Sequence, residues 1–163
     1  MLSSSLLTLA KRGAGGEGLL ALKGVFVYTR GVNQTPKPID GQKHLLIVED
    51  ERALTQALSV KFARQGYAVT VAYDGTDALQ KLNETHFDGV LMDLLMPRKT
   101  GFDVLKERGD TQNKETPFFV LSALGSEKDI NAVKMLGAEK YFVKSQSSLK
   151  EVVDEVSRHY QGS

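Results

Sequence analysis

The stretch FDGVLMDLLMPRKTG, Phe87 to Gly101, runs apolar residues directly into one aspartate, Asp93, and then brakes on Pro97 and Gly101. A short apolar run bounded by turn formers reads as a buried strand. Such a strand has no need of an acid at its end, because an ionised carboxylate at the edge of an apolar core is costly unless something pairs with it. The partners of Asp93 therefore decide what the strand is for.

Working outward, the same pattern recurs on both sides. HLLIV at 44–48 is a short apolar run followed by the acidic EDE and then by RALTQALSVKFARQG, in which Leu54, Ala57, Leu58, Lys61, Phe62 and Gln65 recur at helical spacing before Gly66. YAVTVA reads as a second strand, and DGTDALQKLNET as a helix opened by Asp74 and lined by Ala78, Leu79 and Leu82. After the strand that delivers Asp93, TGFDVLKERG is a short helix on Phe102, Val104 and Leu105. PFFVLSA is a fourth strand, SEKDINAVKMLG a helix with Ser126 and Asp129 as an N-cap pair and Gly137 as its stop, and KYFVK a fifth strand. The last helix, SLKEVVDEVSRHY, has a capping box in Ser148 and Glu151 and a buried face of Leu149, Val152, Val153 and Val156. Strands alternating with helices through short connections predict an α/β fold, a parallel sheet of five strands covered by five helices on both faces.

Residues 1–42 are a different kind of chain. They hold five Lys/Arg against two acids, whereas the remainder holds 16 basic and 18 acidic side chains. Their apolar clusters are short and cut by glycines, and none approaches the roughly 20 residues needed to span a bilayer. A secretory signal fails on order, since the charge follows the first apolar cluster. We read this segment as a poorly ordered N-terminal extension, with an organelle-targeting leader or a short element packed on the main domain as alternatives, and residues 43–161 as the folded domain.

Composition narrows the function. Of the 163 residues, 21 are basic and 20 acidic, a balance that gives no electrostatic preference for nucleic acid or an anionic membrane. The absence of cysteine excludes disulfides, thiolate zinc sites and a cysteine nucleophile, and fits a reducing, cytoplasmic setting. His44, His86 and His159 lie too far apart in sequence to suggest metal ligation and read as surface or boundary residues.

In an open parallel sheet the functional crevice lies beyond the carboxyl ends of the strands. Those ends carry Glu49 and Asp50, Asp93, Ser122 and Lys144. Three carboxylates converging there repel one another unless a cation sits among them. A hard divalent ion such as Mg2+ suits such a site, using one or two carboxylates together with a phosphate oxygen. Lys144 then offers a point charge for phosphoryl oxygens, Ser122 a hydroxyl donor, and Asp93 a carboxylate nucleophile.

These motifs, LLIVEDE, VLMDLLMPRKTGFDVL, FFVLSA and GAEKYFVK, closely resemble those of the receiver domain of two-component response regulators. The resemblance covers residues 43–161 and implies a flavodoxin-like, doubly wound sheet in strand order 2-1-3-4-5. It implies that Asp93 takes a phosphoryl group from a sensor histidine kinase, and that Asp50 and Asp93 ligate Mg2+ directly. Glu49 would hold the ion through water and the Leu95 carbonyl would complete the protein ligands. Lys144 would grip the phosphoryl group, Ser122 would move to bond it, and Tyr141 would turn inward as that space opens.

Two departures stand out. Many members carry proline after the lysine, with a cis bond; here Ser145 follows, and a trans bond is expected unless strain holds it cis. The loop after the acceptor carries Arg98 and Lys99, charges that could serve partner choice. Only Gln161, Gly162 and Ser163 follow the last helix, so the expectation is a single-domain switch that signals by docking to an output protein, as a monomer or a phosphorylation-dependent dimer, without contacting nucleic acid or membrane. The rival readings are a phosphorelay intermediate passing its phosphate to a histidine phosphotransfer protein, a degenerate receiver used only for binding, and an aspartyl-phosphate phosphatase of haloacid-dehalogenase type. The last expects an acid two residues after the nucleophile, where Leu95 stands.

Overall fold

The structure is a computed structural model that describes residues 38–161, together with the backbone of 20–22 and 25–27. Two three-residue strands, β1 (Leu20–Leu22) and β2 (Val25–Val27), pair antiparallel with each other and stay apart from the main sheet, β2 running beside the first helix and an outer strand of the domain. For the rest of residues 1–37 the expectation of poor order falls outside the described residues.

The domain itself alternates β3 (His44–Val48), α1 (Arg52–Arg64), β4 (Ala68–Ala72), α2 (Gly75–Glu84), β5 (Gly89–Met92), α3 (Gly101–Glu107), β6 (Phe118–Ser122), α4 (Glu127–Met135), β7 (Lys140–Val143) and α5 (Leu149–Gln161). All four neighbouring strand pairs are parallel, in the order β4-β3-β5-β6-β7. That is the second, first, third, fourth and fifth strand of the sheet, the flavodoxin-like order.

Because side chains alternate along a strand, each buries two sets. Leu46, Val48, Val90, Met92, Phe118 and Val120 pack with the apolar sides of α2, α3 and α4, while Leu45, Ile47, Leu91, Phe119, Leu121 and Phe142 pack with α1 and α5. Cover on both faces explains why β3 and β6 are buried along their full length.

The helix signals operate as read. Asp74 accepts from the amides of Thr76 and Asp77, Ser126 from that of Asp129, and Ser148 from that of Glu151, whose carboxylate accepts the Ser148 amide in return. Gly66 and Gly137 follow α1 and α4 with φ of 92° and 80°, a left-handed turn that glycine adopts without a Cβ clash.

Two readings of buried faces need correction. On α1 the buried set is Thr55, Leu58, Ser59, Phe62 and Ala63, not the Lys61 and Gln65 side of the periodic pattern. The hydroxyls can be buried because Thr55 donates to the Glu49 and Glu51 carbonyls and Ser59 donates to that of Thr55. His44 is likewise no surface histidine: it is 2% exposed, tilted against the Phe87 ring, with Nε2 2.8 Å from the Thr70 hydroxyl. No helix among the described residues is long and apolar enough to cross a membrane.

Candidate functional site

The order of the sheet reverses between β3 and β5, since the chain winds from β3 out to β4 and crosses back to β5. A crevice opens at such a point, beyond the carboxyl ends. Backbone hydrogen bonds fix what stands there. The Glu49 amide donates to the Ala72 carbonyl at 3.0 Å, the Asp93 amide to that of Val48 at 2.9 Å, and the Lys144 amide to that of Ser122 at 2.8 Å. Glu49 and Asp93 thus leave adjacent strands side by side, with Ser122 and Lys144 on the next two.

Their side chains meet. Carboxylate oxygens of Glu49, Asp50 and Asp93 lie within 4.8 Å of one another; Glu49 and Asp93 are buried and Asp50 is exposed. The Lys144 ammonium is 2.7 Å from Asp93 Oδ2 and 2.8 Å from Glu49 Oε2. Lys144 therefore pairs with both buried acids, and Asp50 stands beside them. Burial raises the Glu49 pKa above the ordinary range; Lys144 opposes the rise and the Asp93 charge adds to it. Burial disfavours the Lys144 ammonium, yet its bonds to Asp93 and Glu49 outweigh that, so its pKa is also raised. At neutral pH the lysine is held charged between its partners.

This donor set fits Mg2+. It is made only of hard carboxylate oxygens, it carries more negative charge than its one ammonium cancels, and an exposed member, Asp50, leaves one side open to solvent.

Ser122 is fully buried at the end of β6, its hydroxyl 3.4 Å from the Leu124 amide. Tyr141 belongs to the same group: its hydroxyl donates to the Leu124 carbonyl at 2.7 Å and its ring packs on the α2–α4 side core. Burial raises its pKa, while the neighbouring Ser122 hydroxyl pulls the other way. The Tyr141 side chain is half-buried in this arrangement. Leu95 is 49% exposed and its amide donates to Asp93 Oδ1 at 3.1 Å. No cis peptide occurs among the described residues, so Lys144–Ser145 is trans.

Both loop charges reach solvent, and each is also paired within the domain. Arg98 is bonded to Asp74 at the start of α2, and Lys99 to Glu107 at the end of α3. Sequence reasoning saw Asp74 only as a helix cap. Its second role depends on a residue 24 positions away, and no local pattern signals it.

The geometry defines a class: a Mg2+-compatible acidic crevice at the switch point of a doubly wound sheet, with a buried carboxylate, a buried hydroxyl and a lysine at the ends of three successive strands. The family model of the response regulator receiver domain matches residues 45–156. The chain belongs to that family, whose members are phosphoacceptor switches of two-component signalling.

Among curated relatives, the transcriptional regulatory protein CpxR of Klebsiella pneumoniae is 41% identical over 100 residues, 61% of this chain and 42% of that protein. DltR of Streptococcus agalactiae, also a transcriptional regulatory protein, is 38% identical over 101 residues, 61% of this chain and 44% of that protein. The chain thus spans less than half the length of these relatives. Among solved structures, the receiver domain of the Francisella response regulator 1452 superposes with a TM-score of 0.66 at 32% identity, covering 74% of this chain and 98% of that one. The chemotaxis response regulator CheY4 of Vibrio cholerae superposes with a TM-score of 0.66 at 30% identity, covering 72% and 98%.

Proposed function

We propose that this receiver takes a phosphoryl group from the phosphohistidine of a sensor histidine kinase onto Asp93, in the cytoplasm, and signals by docking its phosphorylated form to an output protein. The observation that carries the reading is the Lys144 ammonium lodged between Asp93 and Glu49 in a crevice of excess negative charge. A permanently paired structural aspartate would need neither the other two acids nor an open side.

In this reading Asp93 attacks phosphorus; the new bond is carboxylate oxygen to phosphorus, and the phosphorus–nitrogen bond to the donor imidazole breaks, its electron pair staying with the ring. Glu49, Asp50, Asp93 and the Leu95 carbonyl would hold Mg2+, which when bound offsets the negative charge of the acids and of the incoming phosphoryl oxygens. Lys144 trades its bond to the Asp93 oxygen for one to the phosphoryl group. Ser122, buried at the neighbouring strand end, supplies a hydroxyl donor, and the bond from Tyr141 to the Leu124 carbonyl holds the segment after β6 in the arrangement that receives it. The likeness to CheY4, a chemotaxis regulator nearly all of whose chain is matched, supports output by docking. The test is capture of partners by the protein with and without beryllofluoride and Mg2+. A partner retained only with the phosphoryl mimic supports the reading, and an identical set of partners in both conditions overturns output by phosphorylation.

A further inference from the structure

Arg98 adopts φ of 66°, the one non-glycine residue among those described with a left-handed backbone. Glycine would sit there without strain. Its guanidinium reaches the Asp74 carboxylate, whose side chain is 2% exposed although that of Arg98 is 68% exposed. Asp74 is fully engaged by this: one oxygen accepts the Thr76 and Asp77 amides at 2.8 and 3.0 Å, the other takes Arg98. Beside it the Gly75 amide donates to the Lys99 carbonyl at 3.2 Å, and a Cβ on Gly75 would lie 2.4 Å from that oxygen. The tip of the loop after Asp93 is therefore seated directly on the first turn of α2.

The base of the same loop is closed as tightly. The Gly101 amide donates to the Leu94 carbonyl at 3.0 Å, and a Cβ on Gly101 would lie 2.4 Å from the Asp93 carbonyl oxygen. Leu95, the residue whose carbonyl the proposed function assigns to Mg2+, lies between these two anchors, its own amide held by Asp93 Oδ1. From this we infer that Arg98 is a positioning residue for the acceptor loop. By neutralising buried Asp74 it pins the loop to α2 and sets the Leu95 carbonyl for the ion. The inference rests on the proposed reading of the site as a Mg2+ centre.

Two substitutions isolate the pair. Asp74→Asn keeps a good helix-capping acceptor, and Arg98→Gly suits the left-handed backbone, so neither removes the local conformation along with the charge. With the full chain and MgCl2, titration calorimetry should show each variant binding Mg2+ about tenfold more weakly, the lower end of what loss of a supporting contact behind a ligand costs. The double variant should be no weaker than either single one, and Arg98→Lys should recover most of the affinity. Thermal unfolding in chelator separates this from a purely structural role: variants that melt lower yet bind Mg2+ as the parent does overturn the inference. A parent protein that binds no Mg2+ overturns the reading of the site and this inference with it. A parent that binds while Asp74→Asn and Arg98→Gly bind equally well overturns the inference alone.

Discussion

The two ends of the sheet handle buried polar groups in opposite ways. At the amino end the buried polar side chains are matched inside the domain. Asp88 takes the Lys43 ammonium at 2.9 Å and the His44 amide at 2.7 Å; His44 meets Thr70; and the fully buried Asn113 accepts the Phe87 amide while donating to the Leu82 and Thr85 carbonyls. At the carboxyl end two buried acids, Glu49 and Asp93, share one lysine, and a third acid, Asp50, stands beside them. No described buried side-chain nitrogen or oxygen lacks a hydrogen-bond partner, so what separates the ends is charge balance and not satisfaction. A fold can neutralise its buried polar groups when nothing further is asked of them. Where it leaves an excess of one sign, a ligand of the other sign completes the structure.

That contrast can be broken most severely at Asp93. Incubated with acetyl phosphate and Mg2+, the protein should gain one phosphoryl group by intact mass, and Asp93→Asn should gain none. Labelling of that variant, or labelling that survives chelator, would refute the assignment. At the opposite end, Asn113→Ala should cost about 4 kcal/mol in denaturant unfolding, since it strands several buried backbone groups at once. Its folded fraction should still be phosphorylated at the parental rate. A variant as stable as its parent would show that the amino end is not held by this network.

The same end carries a pH signature. Burial pulls the His44 pKa down from 6.5 to about 4, with the Asp88 charge opposing the shift. The unfolded chain therefore binds the extra proton first, and the stability that neutral His44 contributes is intact above pH 6.5 and lost as pH falls from there toward 4. Compared with His44→Gln across this window, the parent should lose up to about 3 kcal/mol more. Parallel stability curves would contradict a buried neutral imidazole.

Smaller effects sharpen the carboxyl end. Leu95 and Leu124, which follow the acceptor and the hydroxyl by two residues, can hydrogen-bond no attacking water through their side chains, so the phosphorylated form should be long-lived. Leu95→Asn and Leu124→Glu should speed its decay about tenfold, equivalent to ~1.4 kcal/mol of barrier; decay of the parent at the same rate as both would exclude shielding by the leucines. The smallest effect belongs to the N-terminal extension. A chain beginning at Gly41 keeps the bond from Gln42 to the Gly66 carbonyl and should be phosphorylated normally with stability within ~1 kcal/mol of the parent. A loss above ~2 kcal/mol would show instead that β2 contributes to the domain beside α1 and β4.

Apolar runs, helical spacing and capping residues are local properties, and they were enough to read the five strands, the five helices, the parallel sheet and the acidic, hydroxyl and lysine groups at its carboxyl ends. Strand ends in a parallel sheet share one rim whatever the side chains do, so the membership of the candidate site was readable before any contact was known. Partnerships were not. The seating of Lys144 between Asp93 and Glu49, the bond from Tyr141 to Leu124, the burial of Thr55, Ser59 and His44, and the bond from Arg98 to Asp74 join residues across crossovers or depend on which way a helix turns. Those choices are made by packing density and by the cost of leaving a buried charge unpaired, and both are properties of the assembled domain with no period along the chain.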